Sequence, residues 1–155
     1  MCSSDLAQGT PDWPFNARCE PEIALQEEKL LSYAFNAGFW HLERWVKDGI
    51  APPKGERMVL DAAGKMPVNE YGIGQGGIRS PYSDVPVARY TTASGGPGNC
   101  REFGSTTPLS WTELEKLYGN HANYVKKVND AIDKMAAAKW VTEADAKRMR
   151  AELTK

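Results

Sequence analysis

The stretch Gly72–Pro81, GIGQGGIRSP, decides how the rest of the chain is read. Gly72, Gly74 and Gly77 satisfy G-x-G-x-x-G, the glycine spacing of loops that cradle a dinucleotide pyrophosphate. Such a loop needs a buried strand before it and a helix after it, because the phosphates rest on the helix N-terminus. The pattern supplies neither neighbour. Met66–Tyr71, MPVNEY, is polar and broken by Pro67, while Pro81 and Pro86 stand where the helix should run. The lysine of a P-loop is missing too. The glycines therefore predict tight turns with positive φ. Arg79 and Asp84 bracket the Pro81–Tyr82 turn and read as either a buried ion pair or a local turn clamp.

Outward from the loop, Lys54–Pro108 is dominated by glycine and proline. Only two runs are strand-like, Arg57–Asp61 and Val85–Thr91, and Pro86 makes the second an edge strand or simply extended chain. A stretch this long without regular structure is unusual in an independent compact domain. It is expected to drape over a surface that the chain does not contain.

Both flanks are helical. Upstream, residues 7–22 carry Gly9, Pro11, Pro14 and Pro21 and read as an extended connector. A helix follows from Ile23 or Lys29 to Lys47, with Leu31, Phe35, Phe39, Leu42 and Val46 at steps of three and four. Gly49 stops it, and Pro52 and Pro53 cannot continue it. So wide an apolar stripe calls for a large packing surface. Downstream, Ser110 with Glu113 fits a capping box and opens a short helix through Leu114 and Leu117 to Tyr118, which Gly119 ends. Asn120 caps a longer helix whose apolar face is Tyr124, Val125, Val128, Ala131, Ile132 and Met135. Thr142 caps a last one carrying Ala146, Met149 and Leu153, with Glu143, Lys147, Arg148 and Glu152 on a solvated outer face.

Bulk charge narrows the function classes. Nineteen basic and 20 acidic side chains nearly cancel, and no basic run appears, which argues against a nucleic-acid or membrane-surface binder. No apolar run reaches the roughly 18 residues of a membrane span. The first residues lack the basic start and apolar middle of a signal peptide. Residues 2–6, CSSDL, match the in-frame translation of a common sequencing adapter (TGC TCT TCC GAT CT). Residues 1–6 are thus expected to be a non-native scar on a metagenomic fragment whose true start lies upstream; the alternative is an ordinary N-terminus of small polar residues.

The side chains offer little chemistry. Cys19 and Cys100 are far apart in sequence and belong to no C-x-x-C pair, so no zinc site is expected. A Cys19–Cys100 disulfide in an exported protein and two free thiols remain open alternatives. None of Ser80, Ser94 and Ser105 has the flanking glycines of a G-x-S-x-G nucleophile elbow. His41 lies mid-helix between Trp40 and Leu42, and His121 opens the helix after Asn120; both read as structural. The tryptophans Trp13, Trp40, Trp45, Trp111 and Trp140 are scattered and read as packing residues. No catalytic, cofactor-binding or metal-ligating residue is assigned.

Five phrases in order carry a family resemblance: Phe35–Ala37 with His41–Pro53, Gly76–Pro81, Asp84–Tyr90, Phe103–Pro108, and Leu117–Val125. Across about residues 12–150 the chain resembles the C-terminal part of a bacterial α/β-hydrolase domain family. The resemblance implies a parent of α/β-hydrolase fold, a serine hydrolase acting on carboxylic esters or related acyl compounds. In that fold the chain order is nucleophile, acid, histidine, with the histidine in a loop before the last helix. The helix ending at Lys47 would be that last helix, placing the histidine upstream of about residue 20 and the nucleophile further upstream. Residues 7–49 would then be a connector and the last core helix. Residues 50–155 would be a C-terminal extension, irregular over 50–109 and helical over 110–155. The chain itself is expected to be mainly α-helical with a long Gly/Pro-rich irregular segment and short strands. Its expected partner is the missing hydrolase core of the same polypeptide, with a small acyl substrate for the parent. A self-contained interaction module docking through the 29–47 helix is the rival reading.

Overall fold

Local chemistry fixes where the helices start and stop. The computed structural model describes residues 19, 29–96, 100–101 and 104–155, so the expected scar and, apart from Cys19, the connector lie outside the described residues. Helix α1 spans Lys29–Asp48 and ends where Gly49 takes φ 70° and donates its N–H to the Trp45 carbonyl at 3.1 Å. Before α3 (Trp111–Tyr118), Glu113 Oε2 accepts from the Ser110 N–H at 2.8 Å while Ser110 Oγ accepts from the Glu113 N–H at 3.4 Å. That is the reciprocal capping box the spacing predicts. Gly119, at φ 74°, ends α3. Asn120 then caps α4 (His121–Ala137) by accepting from the Asn123 N–H at 2.9 Å. Thr142 caps α5 (Glu143–Leu153) through the Asp145 N–H at 3.1 Å.

The turn between α4 and α5 uses an unusual residue. Lys139 adopts φ 65°, in the left-handed region that favours glycine. The Trp140 N–H bonds the Met135 carbonyl at 3.0 Å and the Lys139 N–H bonds the Ala136 carbonyl at 2.9 Å, the paired bonds of a Schellman turn. This reversal lays α5 along α4. Val128, Ala131, Ile132 and Met135 of α4 then bury against Ala146 and Met149 of α5, with Val141, Val85, Tyr118 and Tyr33 completing the core. The apolar faces expected of both helices are therefore the ones that pack.

The glycine- and proline-rich segment is more ordered than its composition suggests. Residues Pro81–Asp84 form a single helical turn, α2, with Ser80 at its N-cap and Pro81 in the first turn. Proline there breaks nothing, because the first N–H groups of a helix have no internal partner. Strands β1 (Ala88–Thr91) and β2 (Ser105–Pro108) pair antiparallel, Ala88 opposite Pro108 and Thr91 opposite Ser105. β1 falls inside the expected run Val85–Thr91 but begins beyond Pro86, which cannot donate to a ladder. β2 is a strand the sequence reading did not anticipate. The expected strand Arg57–Asp61 is corrected to one isolated bridge, Met58 to Gly76, framed by bonds from Val59 to the Gln75 carbonyl (2.9 Å) and from Gly77 to the Arg57 carbonyl (3.2 Å).

Candidate functional site

The opening glycines are spent on packing chain against chain. A side chain at Gly72 would collide with the Tyr90 backbone, and one at Gly76 with the Arg57 carbonyl; both residues also sit at positive φ, 76° and 73°. Gly74 likewise leaves room for the Met66 thioether. The helix that follows is one turn long, too short to present a phosphate site. Arg79 is a turn clamp rather than a buried ion pair: its guanidinium reaches Asp84 Oδ1 at 2.7 Å, the Gly74 carbonyl at 2.9 Å and the Ser83 carbonyl at 3.3 Å while staying partly exposed.

Helix α1 carries the most informative geometry. It buries Tyr33, Ala37 and His41, which follow each other at steps of four. The Tyr33 hydroxyl donates to Glu152 Oε2 at 2.9 Å, and Asn36 Nδ2 donates to Asp145 Oδ2 at 2.9 Å. His41 Nε2 bonds the Lys139 carbonyl at 2.7 Å, fastening α1 to the Schellman turn. Burial, with the Glu152 carboxylate beside it, pushes the Tyr33 phenol up to about 12. Glu152, expected on the solvated outer face of α5, therefore faces α1. The predicted apolar stripe points the other way: Leu31, Phe35, Phe39, Leu42 and Val46 are exposed, Phe39 by 66% and Val46 by 78%. Phe35 and Phe39 stack on each other with ring centroids 6.2 Å apart.

Other weighed residues fall into separate places. Cys19 and Cys100 are buried and joined in a disulfide across Cα atoms 5.4 Å apart, which resolves the two alternatives for these thiols. Ser105 Oγ shares a hydrogen bond of 2.8 Å with Thr91 Oγ1 on the facing strand. Ser94 is 2% exposed, and its hydroxyl has no hydrogen-bond partner among the described residues. Among the described residues no hydrogen bond joins Ser80, Ser94 or Ser105 to His41 or His121. The packing reading of the tryptophans needs correction. Trp111 is 87% exposed and Trp45 is exposed too, whereas Trp140 is half-buried against the core.

Among the described residues, clefts open at two places of interest. One of about 520 Å³ lies among Val87, Trp111, Leu114, Tyr118, His121 and Tyr124. Its inner wall is set by Tyr118, whose hydroxyl donates to the Pro86 carbonyl at 2.7 Å and whose phenol burial pushes up to about 12. The second, about 450 Å³, lies between α1, the Ile78–Ser80 turn and Trp140, with Ala37, His41, Ser80 and Met135 at its buried base. Neither was legible in the sequence, since each joins residues from segments far apart in the chain. Among the described residues no helix is long and apolar enough to cross a membrane, and no group of His, Cys, Asp and Glu is placed to hold a metal ion.

A protein-family model described as alpha/beta hydrolase domain matches residues 7–151. The chain belongs to that family. No curated protein and no solved structure matches it at a significant level. The family resemblance read from the ordered phrases is thus sustained over almost the whole chain.

Proposed function

We propose that this chain is the C-terminal part of an α/β-hydrolase-type enzyme that cleaves carboxylic esters or related acyl compounds, and that it works only together with the rest of that hydrolase domain. In this reading residues 7–49 supply a connector and the last core helix, and residues 50–155 wrap the core as an extension. One observation carries the proposal: α1 belongs to a hydrolase-family domain yet turns Leu31, Phe35, Phe39, Leu42 and Val46 outward. An apolar face of this extent is the mark of a surface meant to be covered. The remainder of the domain would supply the serine nucleophile, its histidine and the backbone N–H groups that stabilise the oxyanion.

The same face also supports a second reading, a self-contained module that docks through α1 onto another protein. Activity separates the two. Expressed alone, the chain is expected to leave a short-chain p-nitrophenyl ester unhydrolysed, whereas the complete reading frame turns it over. In that longer protein Phe39→Asp is expected to abolish turnover and cooperative folding. Ester turnover by the chain alone, blocked by a serine-directed inhibitor, would overturn the claim that the nucleophile lies elsewhere. A Phe39→Asp variant of the longer protein with full activity would favour the docking module.

A further inference from the structure

Gly38 is a residue that helix formation does not explain. Glycine is the least helix-favouring residue after proline. Here it occupies the interior of a 20-residue helix, and a Cβ built on it would meet nothing within 4 Å. No close neighbour requires the missing side chain. What Gly38 does is line the 450 Å³ cleft and, with Ala34 and Ala37, keep that side of it open.

The cleft has a definite chemistry. Its volume lies within the range of small-molecule sites. Trp45, Ile78, Met135 and Trp140 give it apolar walls, Leu42 of the exposed stripe stands at its rim, and among the described residues no Asp, Glu, Lys or Arg lines it, so it suits an uncharged ligand. Two polar side chains stand at its base, His41 and Ser80, each more than nine-tenths buried. A carbonyl can only accept, so the 2.7 Å bond from His41 Nε2 to the Lys139 carbonyl puts the proton on Nε2. In the neutral ring Nδ1 is then an acceptor, and no hydrogen bond from the described residues reaches it.

We infer that this cleft is a binding site for a small, neutral, apolar alcohol or phenol, whose hydroxyl donates to His41 Nδ1 while its hydrocarbon body lies against Trp45, Trp140 and Ile78. The inference is independent of ester hydrolysis and stands whether or not the chain is part of an enzyme.

Isothermal titration of the full chain with 2-naphthol and with its methyl ether, 2-methoxynaphthalene, tests it. The two probes share their aromatic body, and only the first can donate a hydrogen bond. The alcohol is expected to bind about tenfold more tightly than the ether, the upper part of the range for one neutral hydrogen bond. Gly38→Leu places a side chain in the open space and leaves every residue of the outward face of α1 unchanged. It is expected to reduce naphthol binding at least tenfold while helix content by circular dichroism is maintained. Equal affinity for alcohol and ether, or no binding of the alcohol by the wild-type chain, overturns the site. So does undiminished binding by a folded Gly38→Leu variant, which would place the ligand on the exposed stripe instead. The alcohol–ether comparison needs no variant and stays decisive if Gly38→Leu fails to fold.

Discussion

Helix α4 buries Val128, Ala131, Ile132 and Met135, whereas α1 buries Tyr33, Ala37 and His41 and leaves Leu31, Phe35, Phe39, Leu42 and Val46 in solvent. Both helices carry an apolar stripe at helical spacing. The difference is in what the chain offers each of them. The Schellman turn at Lys139 returns α5 directly along the apolar face of α4. Helix α1 instead meets this core sideways, through a tyrosine, an asparagine and a histidine that satisfy polar groups on α5 and on the turn. A stripe thus predicts that a surface will be covered, and the chain must still contain the cover.

Mutations can break that contrast, and the largest effect is expected in α4. Ile132 is fully buried, so Ile132→Ala should cost about 2–5 kcal/mol in urea unfolding, through lost transfer energy and a residual cavity. A smaller cost would mean that the α4–α5 core is loosely packed. Tyr33→Phe removes the donor to Glu152 and keeps the ring, and should cost about 1.5–3 kcal/mol, the usual worth of a hydrogen bond to a charged group. If it costs nothing, α1 is not held by its polar face.

A third test concerns the cap that positions α3. Arg89 at 2.6 Å, then Ser110, hold the Glu113 carboxyl down to about 2, below its usual 4.5. Because the folded-state value is the lower one, this contribution is full above pH 4.5 and disappears as the pH falls from there towards 2. Thermal melts of wild type and Glu113→Gln should therefore differ most near neutral pH and converge by about pH 2. A constant gap across that window would show that the carboxylate's charge plays no part. The smallest effect is expected on the outward face of α1. In the isolated chain Phe39→Asp should change stability by no more than about 0.5 kcal/mol, the usual range for an exposed position. A loss comparable to that of Ile132→Ala would mean that something already covers the stripe.

The capping residues were fully legible in the sequence, because Ser110, Asn120, Thr142, Gly49 and Gly119 act on backbone groups only a few residues away. Helix existence and the faces of α4 and α5 were legible for the same reason. Strand β2 was not, since Ser105–Pro108 shows no apolar alternation and exists only because β1 lies beside it. Arg57–Asp61 has the composition of a strand but lacks a partner of matching length, so one bridge survives. The inward face of α1 was hidden by distance: Tyr33, Asn36 and His41 find partners 119, 109 and 98 residues further on. The neutral cleft was hidden likewise, because Gly38, Ser80 and Trp140 meet only once those long-range bonds have formed.

The disulfide between Cys19 and Cys100 gives the chain a covalent ring enclosing α1, the glycine loop and β1, with 81 residues of sequence separation. Closing a loop of that length removes about 4.5 kcal/mol of unfolded-state freedom in the chain-entropy description. Such bonds persist in oxidising surroundings and are lost in a reducing cytosol. The redox state of the medium thus sets how far α1 can stray when its polar contacts let go. Oxidised, α1 stays joined to Cys100 through a short covalent path; reduced, it is held by those contacts and by the long irregular run of polypeptide that follows it.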